Sequence, residues 1–220
     1  MQAHDEKKFE QFAKYYDLYN TLISLGLHSI VRVFCMKLLN NKVSPKNILD
    51  LCTGTGDIAR LLKKKYSKSN IIGIDISNEM LKIAKKKSTD ITYILGSISE
   101  MPFDSELFDI ITVFFGLRNV KDKEAAIGEI KRVMKKNAVF LHVDFGNPSN
   151  FAQKVFKACI KLFSKILFFT KIPTKTFLSS IIEYPNKEKI VPFFEKHGLV
   201  CIQKKEFIFG VISAQLYKKA

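Results

Sequence analysis

From Asn47 onward, short apolar runs alternate with polar stretches of helical periodicity, and this alternation confines the chain to one class of fold. The runs NILDLC, NIIGID, ITYIL, FDIITVFF and AVFLHVDF read as strands, and IARLLKKKY, NEMLKIAKKK and KEAAIGEIKRVMKK between them read as helices. Strands that alternate with helices build right-handed βαβ units and a mostly parallel, doubly wound sheet. Such an α/β sheet takes its ligand outside the carboxyl ends of the strands, near the topological switch point. Residues 5–40 read as two helices with a break near Ser24–Gly26. After a helix at about 186–197, the end LVCIQKKEFIFGVISAQLYKK reads as an antiparallel hairpin closing the sheet.

The first strand runs into Asp50-Leu51-Cys52-Thr53-Gly54-Thr55-Gly56-Asp57, and a helix follows. Glycines at this turn allow a tight bend and close approach of a ligand, and the helix start offers unpaired N–H groups. Asp75, twenty residues after Thr55, ends the second strand, where a carboxylate accepts hydrogen bonds from a ribose diol. Nicotinamide dinucleotides and S-adenosylmethionine both use this geometry. Asp50, four residues before Gly54, answers a cationic amino acid group and repels a pyrophosphate. Ser97 and Ile98 follow the third strand, where adenine is met, and a long helical lead-in precedes the loop. These features favour S-adenosyl-L-methionine.

Composition excludes some classes and leaves others open. No run of about 18 uncharged apolar residues exists, and the start MQAHDEKKFEQF has no apolar signal core, so a cytoplasmic protein is expected. The cysteines (Cys35, Cys52, Cys159, Cys201) form no CxxC pair and the histidines show no ligand spacing, so reduced thiols and no metal are expected. Lys and Arg number 36 against 21 Asp and Glu, a formal charge of +15. That field suits nucleic acid, an acidic membrane or an anionic substrate, or it reflects no more than lysine-rich solvated surfaces.

More selective blocks follow. They are Phe9-Glu10-Gln11-Phe12-Ala13-Lys14-Tyr15-Tyr16-Asp17-Leu18-Tyr19-Asn20, the Leu49–Ala59 loop, Gly73-Ile74-Asp75-Ile76-Ser77-Asn78-Glu79-Met80-Leu81, and Met101-Pro102-Phe103. Phe115-Gly116-Leu117-Arg118-Asn119-Val120 comes next, then Asp144-Phe145 with Pro148, Phe177-Leu178-Ser179-Ser180-Ile181 with Tyr184-Pro185, and Gly210-Val211-Ile212. On these blocks, from about Phe9 to the C-terminus, the chain resembles the C-methyltransferases of ubiquinone and menaquinone synthesis. The resemblance implies a helical cap over 1–45, a cofactor-binding core over 46–145, a substrate- or membrane-facing insertion over 146–185 and a closing helix and strands over 186–220. It implies S-adenosylmethionine bound by Asp50, Gly54, Thr55, Gly56, Asp75, Ile76, Met80, Ser97 and Ile98. It implies a prenylated quinol near Tyr16 and Asp144, with Arg118 and Asn119 as catalytic residues. Several positions depart from the pattern. Phe114 replaces a cofactor-touching serine, so its contact is lost or passes to backbone. Val31 replaces a tryptophan, Asp144 a glutamate and Gln215 a histidine, and Lys136-Asn137-Ala138 replaces Pro-Gly-Gly.

Methyl transfer to carbon requires a nucleophilic ring carbon held about 3–3.5 Å from the sulfonium methyl. Arg118 with Asn119 is expected to orient a quinol oxygen or a relay water; the alternative is that Arg118 pins its loop through carbonyls. The resemblance implies that Tyr16 and Asp17 lie on an N-terminal helix that closes over the pocket; the alternative is that they belong to the core. His142 reads as a satisfied core histidine. Over Phe151–Thr170, Lys154, Lys157, Lys161 and Lys165 share one helical face against apolar others. This reads as a helix lying on the inner face of an acidic membrane, or as a core or dimer-interface helix, which leaves a homodimer open. A nucleic-acid methyltransferase is the competing reading. Base N-methylation would place an Asn/Asp-Pro-Pro-aromatic stretch after the fourth strand, where FFGLRN stands, and no cysteine is well placed for cytosine C5 chemistry, so no nucleic-acid partner is expected.

Overall fold

The computed structural model describes residues 26–39, 44–146 and 187–220, together with Ala13, Asp17, Thr21, Ser149 and Lys154. In chain order the first elements are α1 (Leu27–Met36), β1 (Asn47–Leu51), α2 (Asp57–Lys65), β2 (Asn70–Asp75), α3 (Asn78–Lys87) and β3 (Thr92–Leu95). There follow β4 (Phe108–Phe114), a 3₁₀ turn (Leu117–Asn119), α4 (Lys123–Val133), β5 (Met134–Phe145), α5 (Lys187–Lys196), β6 (Leu199–Phe207) and β7 (Ile212–Lys219). The strands form one seven-stranded sheet in the order β3-β2-β1-β4-β5-β7-β6. The first five pair in parallel, and β7 runs antiparallel to both β5 and β6. The chain therefore leaves β1 in one direction and returns beside it at β4, which makes the β1/β4 seam the switch point.

Alternation along the strands fills the two faces. On one face Val31 and Cys35 of α1, Ile58 and Leu62 of α2 and Leu81 of α3 pack with Ile48, Ile71 and Ile110. On the other, Ile127 and Ile130 of α4 and Phe194 of α5 pack with Leu49, Phe108 and Phe140. Phe194 lies 4.7 Å, centroid to centroid, from Tyr217 on β7, so the closing helix and hairpin are tied to the sheet by aromatic packing. The outer face of α1 exposes Ile30, Val33 and Phe34.

The strands, the three helices after β1, the break at Gly26 and the C-terminal hairpin fall where the sequence pattern puts them. One boundary differs. Met134–Lys136 continues the helical pattern of α4 yet opens β5. The N–H groups of Glu106 and Leu107 bond the carbonyls of Arg132 and Val133, and Phe108 pairs with Met134. Cross-strand bonding there overrides local helical periodicity. Tyr16, and the Phe151–Thr170 helix apart from an exposed Lys154, lie outside the described residues. Among the described residues, no helix is long and apolar enough to cross a membrane.

Two turns leave the ends of β1 and β4 and touch. Cys52 and Phe115 hold left-handed φ values of 51° and 58°, costly for non-glycine residues and concentrated where function imposes them. A Cβ on Gly116 would lie 2.4 Å from Cys52 Cβ and 2.8 Å from its Sγ, so Gly116 is what allows the two turns to meet. Gly116→Ala is expected to lower the unfolding free energy by about 1–3 kcal/mol. Adding Cys52→Gly, which removes both obstructing atoms at a left-handed position, should restore most of it; urea denaturation reads both. An unperturbed Gly116→Ala protein would contradict this packing.

Candidate active site

Four carboxylates converge on the turn Thr53–Gly56. Asp50, on β1, is fully buried; its two oxygens accept from Thr53 Oγ1 at 2.6 Å and from Thr112 Oγ1, across the seam on β4, at 2.7 Å. Asp75, at the end of β2, accepts from the N–H of Gly54 at 2.8 Å and of Ser77 at 2.9 Å. Asp17, from the N-terminal segment, accepts from Thr55 Oγ1 at 2.7 Å and pairs with Lys87 at 2.6 Å. Asp57, at the start of α2, pairs with Arg32 of α1 at 2.9 Å and with Lys87 at 3.0 Å. Arg32 and Lys87 thus neutralise Asp57 and Asp17, whereas Asp50 and Asp75 are held by hydroxyl and N–H donors.

That division sets the electrostatics. Burial pushes the Asp50 carboxyl up to about 7 against the pull of Thr53, Thr112 and Arg32. Burial also raises Asp75, opposed by N–H groups of Ser77, Gly54 and Ile76. Burial alone would raise Asp57, but Arg32 and Lys87 outweigh it and hold it below the ordinary value. The Cys52 thiol is held well above its ordinary range by burial and then by the charges of Asp75, Asp50 and Asp144, so it is no nucleophile.

Gly54 and Gly56 take left-handed φ values of 56° and 81°. Beside Gly54 a Cβ would meet nothing nearer than the Cys52 carbonyl at 4.0 Å, so the loop turns an open backbone face outward. Gly56 faces inward, where Tyr93 Oη would lie 2.6 Å from such a Cβ. Behind the loop, an inner cavity of about 20 Å³ is lined by Asp50, Thr53, Thr55, Phe114 and Arg32.

Past β4, the guanidinium of Arg118 is buried. It donates to the Phe115 carbonyl, pairs with Asp144 Oδ1 of β5 at 3.1 Å and lies 5.1 Å over the Phe145 ring. The structure therefore gives Arg118 the loop-pinning bond and adds an ion pair that sequence spacing did not announce. Asp144 Oδ1 also accepts from the Phe145 N–H, while Oδ2, buried, has no donor among the described residues. Asn119 is half-buried in the 3₁₀ turn, its N–H on the Gly116 carbonyl.

The remaining expected residues fall as follows. Ile76 stands exposed after β2; Met80 is buried in the first turn of α3, its N–H closing a cap on Ser77. Ser97 is half-buried and Ile98 buried in the turn after β3, and Phe114 is buried at the end of β4. His142 sits buried with Nδ1 2.7 Å from Gln215 Oε1 across the β5/β7 pair, a satisfied core histidine whose pKa burial lowers. Sequence reasoning missed Thr53 and Thr112 as holders of Asp50, and Arg32 and Lys87 as counter-ions. Of these only Thr53 lay inside the loop motif.

The model of the ubiE/COQ5 methyltransferase family matches residues 2–219. The chain belongs to this family. It is 34% identical over 201 residues, 89% of this chain and 87% of the relative, to a demethylmenaquinone methyltransferase of Thermotoga maritima. It is 33% identical over 227 aligned positions, covering 98% of this chain and 95% of the relative, to one of Staphylococcus saprophyticus. Among solved structures, a SAM-dependent methyltransferase of Thermotoga maritima superposes with a TM-score of 0.71 at 18% identity, covering 99% of this chain and all of that one, which establishes a shared fold. As a methyltransferase of this family, the chain uses S-adenosylmethionine. Its donor set fits that cofactor: Asp50 and Asp75, lacking cationic partners of their own, favour a ligand that brings positive charge and oppose a pyrophosphate.

The raised pKa of Asp50 gives a signed prediction. Because its folded-state value lies above the ordinary 3.8, the proton is bound more tightly in the folded state, and this group's stabilising contribution is lost as pH rises from 3.8 to about 7. A cationic cofactor prefers the ionised carboxylate. Cofactor affinity, measured by calorimetry, is therefore expected to rise with pH and level off above about 7. Asp50→Asn should flatten that dependence; an unchanged pH profile in the variant would rule out Asp50 as its source.

Proposed function

We propose that this enzyme transfers the methyl group of S-adenosylmethionine to a ring carbon of a prenylated quinol, demethylmenaquinol to menaquinol in the first place. The observation that carries this reading is the match along nearly the whole chain to relatives named for that reaction. The bound cofactor supplies an electrophilic sulfonium methyl; all else falls to this chain's residues. Asp50 and Asp75 receive the charged amino acid end and the ribose hydroxyls. Gly54, Thr55 and Gly56 shape the loop beneath, Ile76, Met80, Ser97 and Ile98 border the adenine, and Phe114 offers backbone where a serine side chain is missing.

On the substrate side, Arg118 with Asn119 orients the quinol oxygen and stabilises negative charge that builds on it as the ring carbon becomes nucleophilic. Asp144 Oδ2, a buried acceptor with no donor among the described residues, is available to take the hydroxyl hydrogen bond. Tyr16 is the further substrate contact. The ring carbon would take up the methyl as the sulfonium C–S bond breaks and its electron pair stays on sulfur as a neutral thioether; the ring would then lose its proton to water, restoring aromaticity. A polyprenyl tail keeps such a substrate in the bilayer, so the enzyme works in the cytoplasm, peripherally bound to the acidic inner membrane face, with the lysine-rich apolar sequence 151–170 as the contact, alone or as a homodimer.

Methyl-labelled S-adenosylmethionine, offered vesicles holding demethylmenaquinol, vesicles holding the benzoquinol precursor, and tRNA in parallel tubes, is expected to label demethylmenaquinol. Label only in a benzoquinol precursor would move the substrate to ubiquinone synthesis, and label only in tRNA would overturn the quinol reading. In the same assay Arg118→Ala should lower turnover by about 100-fold or more while cofactor affinity holds. Wild-type turnover in that variant would remove Arg118 from the chemistry.

A further inference from the structure

The turn between β6 and β7 spends an aromatic side chain on solvent. Phe209 is 79% exposed, more than any other large apolar side chain of the described residues, and Ile208 beside it is 39% exposed. Both residues hold left-handed φ values, 51° and 52°, a conformation that Asn or Gly would adopt more cheaply. The turn is nevertheless firmly built. The Val211 N–H bonds the Ile208 carbonyl at 3.1 Å, the Gly146 N–H bonds the Val211 carbonyl at 2.9 Å, and the Ser149 N–H bonds the Phe209 carbonyl at 3.2 Å. Contact with β5 is close enough that a Cβ on Gly146 would lie 2.5 Å from the Gly210 carbonyl oxygen. The fold thus leaves two apolar side chains exposed on a hydrogen-bonded turn and recovers little packing from them.

Location gives this turn its meaning. Gly146 follows Asp144 and Phe145, whose carboxylate and ring hold the Arg118 guanidinium. The apolar tip is therefore fixed to the same strand ends that carry the substrate-side residues. Exposed Lys204 and Lys205 precede it on β6 and exposed Lys154 follows Ser149, on a chain of formal charge +15. Glu206 partly offsets these locally. An apolar tip with exposed lysines on the segments leading to and from it matches the interface of an anionic bilayer, where an aromatic ring sits at the headgroup boundary and lysines meet lipid phosphates.

We propose that Ile208 and Phe209 insert into the surface of an acidic bilayer and dock the substrate mouth on it. The proposal rests on the quinol reading, since a substrate with a lipid tail is what makes docking at the strand ends useful. A prenyl chain could then stay in the bilayer while its head group crosses to Arg118 and Asp144.

The chain contains no tryptophan, so Phe209→Trp creates a single fluorescent reporter at the tip. With vesicles of phosphatidylglycerol and phosphatidylcholine, its emission should shift to the blue and be quenched by brominated acyl chains. An unshifted emission from protein that co-sediments with the vesicles would overturn the proposal, as would a failure to bind them. A concentration-dependent blue shift without lipid would assign the tip to a second copy of the chain instead. Phe209→Asn, which suits the left-handed backbone, should lower turnover of vesicle-embedded long-chain quinol by about tenfold, the loss of one buried aromatic contact. Turnover of a short-tailed quinol in solution should be unchanged; equal losses on both substrates would overturn the docking role. If neither quinol is methylated by wild-type protein, the quinol reading fails, whatever the tryptophan reports.

Discussion

The Asp50 carboxylate, buried at the switch point of the sheet, is the interaction on which the rest of the site depends. A parallel sheet that reverses its strand order opens a crevice between the two strands where the order turns, and here those are β1 and β4. Asp50 and Thr112 are in register across that seam. The hydroxyl of Thr112 reaches one carboxylate oxygen and that of Thr53 the other, so one side chain ties β1 to β4 and to the glycine loop at once. A carboxylate with no ion pair of its own is expensive to bury, and two hydroxyl donors and the charge of Arg32 offset only part of that cost. The deficit is what makes the site receptive to a positively charged ligand.

The neighbouring features follow from keeping that crevice narrow. The chain turns sharply at the ends of β1 and β4, through Cys52 and Phe115 in left-handed conformations, and the turns approach closely enough that Gly116 has no room for a side chain. Beyond the second turn the 3₁₀ segment carries Arg118 back toward β5, where Asp144 meets it. A buried ion pair is weak evidence for stability but strong evidence for fixed geometry, since breaking one side leaves a stranded charge. The Thr53–Gly56 turn and the Arg118–Asp144 pair are therefore parts of one edge of the sheet, with the β6–β7 tip packed against its far end.

The sequence made the turn after β1 legible because its signals are local. Asp50, Gly54 and Asp75 stand at fixed spacings along consecutive strands and turns, and the structure brings them to one place. Partnerships across the sheet were not legible. Arg118 and Asp144 lie 26 residues apart, and their pairing depends on β4 and β5 being neighbours. Thr112 looks like any strand threonine until the register sets it opposite Asp50. Arg32 and Lys87 appear as surface cations among many, in a chain with 36 of them, until the packing of α1 and α3 on α2 sets both against Asp57. The start of β5 was hidden for the opposite reason: its local pattern is helical, and only pairing with Phe108 makes it a strand.

The switch point makes its demand only if Asp50 is a carboxyl held away from its ordinary ionisation by burial between β1 and β4. Carbon-13 NMR of labelled aspartate in the ligand-free protein, with Asp50→Asn to assign the signal, measures this directly. The account predicts a titration midpoint near 7. A midpoint near the ordinary 3.8 would contradict it, because Asp50 would then be an ordinary solvated carboxylate and the sheet's switch point would not create the demand for a cationic cofactor.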